Sequence, residues 1–115
     1  MTRQSSFREA YEVFMGLPYP GYPQGEELQD LSSELLTLDG HIAGCATRVR
    51  GGSMKAGAVP DVDDLISRVE GIRCGLDLLN TEAEVEEFLL EEYRLYASAL
   101  YRLIVEIRGL ADSEG

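Results

Sequence analysis

Two segments of this chain repeat apolar side chains at alternating intervals of three and four residues. The first repeat consists of Leu28, Leu31, Leu35, Leu38, Ile42, Cys45 and Val49. The second consists of Val62, Leu65, Val69, Ile72, Leu76 and Leu79. This spacing aligns each set along one side of an α-helix, and each apolar side then needs a partner to bury it. The repeats therefore predict an all-α fold.

A third segment, near the C-terminal end, is apolar over a wider face and indicates a central helix with two neighbours. Its predicted face consists of Val85, Phe88, Leu89, Leu95, Tyr96, Ala99, Leu100, Leu103, Ile107 and Leu110. We expect a single domain over 1–115, built as an antiparallel up-down-up three-helix bundle with an additional short N-terminal helix. The predicted elements are a short helix at about 6–16, a Pro/Tyr connector at 17–25, and helices at about 26–50, 61–80 and 82–110.

Polar residues at the predicted helix starts resemble N-terminal capping signals. Ser6 with Glu9 and Thr81 with Glu84 each have the spacing of a capping box. Asp61 stands where it would cap the third helix. The glycine-rich segment 51–60 is predicted to be a flexible loop, and the tail 111–115 is predicted to fray.

The formal net charge of -11 limits the classes of partner. Such a field repels nucleic acid and anionic membranes, and it favours a basic protein partner. No apolar run approaches the ~20 residues of a membrane span, and the first residues lack the apolar core of a signal peptide. With only two cysteines in the chain, we expect a cytoplasmic protein with free thiols.

Acidic residues near the start of the last helix form the candidate partner-binding site. Glu84, Glu87 and Glu91 fall on one outward strip of that helix. A docking strip for a basic partner is one interpretation, and an ordinary solvated helix face is the other.

Three further polar residues are candidates for burial. Helical rotation places Glu92 within the apolar face of the last helix, where an unpaired carboxylate is costly. Arg73 and His41 are its candidate partners. We expect a structural pair in preference to a catalytic acid.

The sequence gives little support for a metal or cofactor. All-α nucleotide pyrophosphohydrolases combine a Glu-x-x-Glu box with a Glu-x-x-Asp box around magnesium. Glu84 to Glu87 supplies the first box, but no second box follows it. We therefore predict no cofactor, no metal ligands and no catalytic residues.

The cysteines, the glycines and the loop after the second helix have further structural interpretations. Cys45 is expected to be buried and Cys74 partly exposed, out of register for a disulfide. Glycine pairs inside the second and third helices, Gly40 with Gly44 and Gly71 with Gly75, permit close approach of the first helix, the connector or a second copy. The loop bearing Arg48, Arg50 and Lys55 is predicted to be a mobile connector, with an anion cradle as the alternative.

These observations favour a non-enzymatic interaction module, an acidic helical bundle that binds a basic protein as an adaptor, inhibitor or immunity-type protein. The alternative is a self-assembling homo-oligomeric scaffold, in which spare apolar faces and glycine faces pack against a second copy. A third possibility is a metal-dependent all-α hydrolase that uses the Glu-rich helix.

Overall fold

The computed structural model describes residues 3–79 and 84–114, and over these ranges the chain is helical without strands. Four α-helices are present in the described part: α1 (Arg3–Met15), α2 (Glu26–Gly51), α3 (Val62–Leu78) and α4 (Glu84–Glu114). One turn of 3₁₀ helix, Ala56–Ala58, lies between α2 and α3. The all-α prediction is confirmed, with helix bounds within about four residues of those expected.

The two apolar repeats form the core-facing sides of α2 and α3. Their buried members are Leu28, Leu35, Leu38, Ile42, Leu65, Val69, Ile72 and Leu76. The remaining members are half-buried and pack against the same core. Ser32 and Ala46, on the flank of the α2 repeat, are also buried, which widens its contact surface.

Helix α4 is the central element, because α1, α2, α3 and the 3₁₀ turn all contact it. The predicted apolar face of α4 is correct from Tyr96 to Leu110 but wrong at Phe88 and Leu95, which are exposed. Leu90, Tyr93, Ala97 and Ile104 are buried instead. No helix in the described ranges is long and apolar enough to cross a membrane.

Helices α3 and α4 are joined by polar contacts at both ends. The Arg108 guanidinium lies 2.9 Å from the Asp63 carboxylate near the start of α3. At the other end, Arg94 donates to the Leu76 carbonyl at 3.0 Å through one guanidinium nitrogen. A cation on the last carbonyls of a helix satisfies acceptors that have no partner within the helix.

Helix α1 lies against α4 through an ion pair and an aromatic pair. Glu9 lies 3.5 Å from Arg102, and the rings of Phe14 and Tyr96 are 5.2 Å apart. The contact of α2 with α3 is close at Gly75, where an added Cβ would lie 3.1 Å from the Leu31 side chain.

The predicted capping signals are not used as expected. Ser6 lies inside α1, which already begins at Arg3, and Glu9 faces Arg102 instead of the helix start. Asp61 has a left-handed backbone (φ 58°), and its side chain makes no capping hydrogen bond. Its carbonyl accepts the Leu65 N–H at 2.9 Å, so the backbone alone starts α3. Thr81 lies outside the described residues, as does the Glu84 side chain.

The segment after α2 is packed against α4, so the prediction of a flexible loop is wrong. Ala56 and Val59 are buried. The backbone N–H groups of Ala56 and Gly57 donate to the two carboxylate oxygens of Glu114 at 3.0 and 2.9 Å. The tail is therefore helical and anchored as far as Glu114, in contrast to the predicted fraying from residue 111.

Candidate functional site

Three tyrosines form a cluster where the connector crosses α2 and α4. Tyr19 lies in the connector, and Tyr93 and Tyr96 lie one turn apart on α4. The Tyr19 ring meets the other two edge-on, at centroid distances of 5.9 and 5.0 Å. We call Tyr19, Tyr93 and Tyr96 the tyrosine cluster.

The hydroxyls of the cluster are all hydrogen-bonded. Tyr19 donates to the Ser32 carbonyl at 2.9 Å, and its hydroxyl also lies 3.0 Å from Ser32 Oγ. Tyr93 donates to the Gly21 carbonyl at 2.8 Å and lies 2.9 Å from Ser32 Oγ. Tyr96 donates to Asp39 Oδ2 at 3.0 Å. Ser32 thus joins the connector to both α2 and α4.

The cluster is suited to holding the connector and poorly suited to acid–base chemistry. Burial raises the pKa of Tyr19 above its ordinary value of 10.0. Burial, followed by the hydrogen bond to the Asp39 carboxylate, raises the pKa of Tyr96. A proton donor or acceptor near neutrality needs a pKa moved the other way. Within the connector, the Tyr19 hydroxyl faces Ser32, whereas Tyr22 is exposed.

The predicted acidic strip is only partly available for a partner. Glu87 is exposed. Glu91 is also exposed, but its carboxylate pairs with Arg94, which itself lies 3.6 Å from Asp77. The structure does not describe the side chain of Glu84, so its place in the strip is untested.

The three candidates for burial are not brought together. His41 is exposed, and Glu92 and Arg73 are only half-buried. Arg73 pairs with Glu70 at 2.9 Å and lies over the Tyr101 ring, 4.4 Å from its centroid. Among the described residues Glu92 therefore forms no ion pair with Arg73 or His41, so the expected structural pair is not formed, and Glu92 is half-buried.

The outward side of α4 changes character along its length. Positions 88, 95, 102 and 109 follow one another at heptad spacing and share a face. The two C-terminal members, Arg102 and Gly109, lie against α1 through Glu9 and Arg3. The two N-terminal members, Phe88 and Leu95, are 68% and 60% exposed. The N-terminal half of this face, which carries Phe88 and Leu95, is therefore the half that α1 does not cover.

Carboxylates border the two exposed apolar side chains. Glu91 and Glu92 are within three or four residues of both Phe88 and Leu95, so each is a neighbour of both on the helix surface. We call Phe88, Glu91, Glu92 and Leu95 the docking strip. Val13 of α1 is also exposed.

Known proteins provide no further interpretation of these surfaces. No protein-family model, curated protein or solved structure matches the chain. The function is therefore inferred from the described residues themselves.

The possible metal ligands, the cysteines and the glycines give less information about a functional site. Among the side chains that the structure describes, which exclude those of residues 84–86, no three His, Cys, Asp or Glu residues are grouped so as to hold a metal ion. Both thiols are free; Cys45 is half-buried and Cys74 exposed. Gly75 packs against Leu31 of α2, whereas a Cβ added at Gly40 or Gly44 would meet nothing within 4 Å.

Sequence reasoning missed most of the docking strip and the tyrosine cluster. Leu95 is three residues from Glu92, and both were assigned to the buried face because a wide apolar arc has no sharp edge in sequence. A narrower arc centred on Ala97 and Leu100 would have left Phe88 and Leu95 outside. Ser32 could have been noticed as a small hydroxyl beside the apolar repeat of α2.

Proposed function

We propose that this protein is a non-enzymatic interaction module that binds a basic, amphipathic protein segment on the docking strip. The observation that carries the proposal is the exposure of two large apolar side chains, Phe88 and Leu95, on one face of α4. Two large apolar side chains on one helix face form a contact surface whose burial by a partner is favourable. A single exposed apolar residue is common on a protein surface and does not indicate a binding site, but Phe88 and Leu95 lie on the same helix face.

The negative charge around the docking strip favours a basic partner. Glu91 and Glu92 border the apolar pair, and the whole chain has a net charge of -11. A helix with apolar residues on one side and Lys or Arg beside them would meet both features, as in the pairing of two amphipathic helices. The same net charge opposes pairing of the strip with a second copy, which supports a heterologous partner over a homo-oligomer.

The scaffold supports this role by holding α4 from three sides. We infer that α2, α3 and α4 form the antiparallel up-down-up bundle. The contact of Asp63 with Arg108 and that of Leu76 with Arg94 require α3 and α4 to run in opposite directions. We also propose a cytoplasmic location, because two free thiols suit a reducing compartment.

A synthetic helical peptide tests the proposal directly. The probe carries Leu at positions that face the strip and Lys on both flanks, and a second peptide carries Glu in place of each Lys. We expect saturable binding of the Lys peptide that weakens as salt is raised, and no binding of the Glu peptide. Fluorescence anisotropy of labelled peptide measures both.

Matched substitutions locate the binding surface. Leu95→Ser is expected to weaken binding roughly tenfold, since burying a leucine contributes about 1.5–3 kcal/mol. Leu36→Ser removes a similarly exposed leucine from α2 and is expected to leave binding unchanged. Equal losses in the two variants, or no saturable binding of the Lys peptide, would contradict the proposal. A native dimer that Leu95→Ser dissociates would favour the homo-oligomeric scaffold instead.

A further inference from the structure

Positive charge is distributed unevenly over this acidic chain. Five of its ten basic residues take part in ion pairs, and these are Arg68, Arg73, Arg94, Arg102 and Arg108 of α3 and α4. The other five have no carboxylate within ion-pair distance among the described residues. They are Arg3, Arg8, Arg48, Arg50 and Lys55, which we call the basic end.

The basic end is a single region of the fold. Two of its members lie in the first turns of α1, two in the last turn of α2, and Lys55 in the segment that follows. Two carboxylates at the end of α4 are already engaged: Glu114 accepts two backbone N–H groups, and Asp112 pairs with Arg108. With 21 acidic residues available in the chain, five cations without an acidic partner at one place are unexpected for a surface shaped only by solubility.

A cavity lies between two of these arginines. It measures about 180 Å³ and is lined by Gln4 and Arg8 of α1, by Val49, Arg50 and Gly52 at the end of α2, and by Phe7 and Leu110. Arg8 and Arg50 come from two different helices, and the fold brings both residues to the lining of one cavity. Its apolar lining comes from Phe7 and Leu110 of the core and from Val49, which is partly buried and packs against the core.

A second cavity adjoins the first. It measures about 270 Å³ and shares Gln4 and Leu110 with the first, while Arg3, Ser113 and Glu114 complete its lining. A ligand anchored at Arg8 and Arg50 therefore has room for an uncharged body that extends along α1.

We propose that the cavity between Arg8 and Arg50 binds a small organic phosphate, a phosphate monoester with a compact apolar or aromatic body. A phosphate dianion matches two guanidinium forks in charge and geometry, whereas a carboxylate satisfies one. The body of the ligand lies against Phe7, Val49 and Leu110. The site is independent of the docking strip, since positions 88 and 110 of α4 are about 33 Å apart along the helix.

Isothermal titration with phenyl phosphate tests this site. We expect saturable one-to-one binding of phenyl phosphate, with inorganic phosphate and benzoate each binding at least about fivefold more weakly, because the first lacks the apolar body and the second carries one charge. Binding of inorganic phosphate as tight as that of phenyl phosphate would overturn the assignment to this cavity, as would no binding at all.

Charge-matched variants separate the cavity from general electrostatics. Arg8→Gln and Arg50→Gln are each expected to weaken phenyl phosphate binding roughly tenfold, the effect of losing one charge-assisted contact. Arg68→Gln removes the same charge from an exposed pair on α3 and is expected to have no effect. An equal loss in Arg68→Gln would overturn the proposal. A native mass that rises with protein concentration in the wild-type protein but not in Arg50→Gln would also overturn it. The basic end would then bind carboxylates of a second copy.

Discussion

The two halves of α4 have the same amphipathic sequence pattern but different surroundings. From Tyr96 onward, its apolar residues are covered by α1, α3 and the 3₁₀ turn, apart from Val105. Before Tyr96, the connector covers Tyr93 but leaves Phe88 and Leu95 exposed. Helix α1 ends at Met15, level with Tyr96, and the connector that follows it contacts Tyr93 without covering Phe88 or Leu95. The comparison teaches that burial depends on where a neighbour ends as much as on helical spacing.

The sharpest test of this comparison uses two leucines of the same helix. Leu103 is fully buried and Leu95 is 60% exposed. We expect Leu103→Ala to lower the free energy of unfolding by about 2–5 kcal/mol, because it removes buried methyl groups and leaves a cavity. Leu95→Ala should change it by less than about 0.5 kcal/mol. Urea denaturation measures both, and similar losses at the two positions would refute the difference between the halves.

The tyrosine cluster predicts an intermediate effect in the N-terminal half. Tyr93→Phe removes the hydroxyl that bonds to Gly21 and Ser32 without changing the ring. We expect a loss of about 1–3 kcal/mol, since two hydrogen bonds are removed, of which the one with Ser32 Oγ is buried. Tyr22→Phe, at an exposed ring of the same connector, is the control and should be neutral. A neutral Tyr93→Phe would mean that the connector is held by apolar contacts alone.

The end of the C-terminal half is expected to show a smaller effect. Glu114→Ala removes the carboxylate that accepts two N–H groups of the 3₁₀ turn. We expect a loss of about 1 kcal/mol and faster amide hydrogen exchange at Ala56 and Gly57. Glu34→Ala, at an exposed position of α2, serves as the control for loss of one acidic residue. Unchanged exchange at both amides would show that the turn is held without Glu114.

The smallest expected effect is a dependence of the free energy of unfolding on alkaline pH. The pKa values of Tyr19 and Tyr96 are raised in the folded protein, so the unfolded chain loses these protons first as pH rises. The folded state then binds more protons, and the free energy of unfolding should fall above about pH 10. Tyr96→Phe should make this fall shallower, as measured by urea midpoints between pH 9 and 11. An unchanged slope would exclude Tyr96 as its source.

The success of sequence reasoning followed the regularity of each segment. The repeats of α2 and α3 predicted their buried sides because every apolar residue has a fixed angular position. The same reasoning assigned Phe88 and Leu95 of α4 wrongly, since a wide apolar arc does not say which edge has a neighbour. The capping signals at Ser6 and Asp61 were also misleading: they are local patterns, and tertiary contacts such as Glu9 with Arg102 outweigh them.

The sequence by itself determined that the chain is helical, where the long helices lie, which sides of α2 and α3 are buried, and that the net charge is strongly negative. These properties depend on residues near one another in the chain. The tertiary structure alone decided which half of α4 is left uncovered, that Ser32 joins two tyrosines from distant segments, and that Arg8 and Arg50 share a cavity. Such arrangements depend on how far each helix reaches beside its neighbour, and helical periodicity contains no information about that distance.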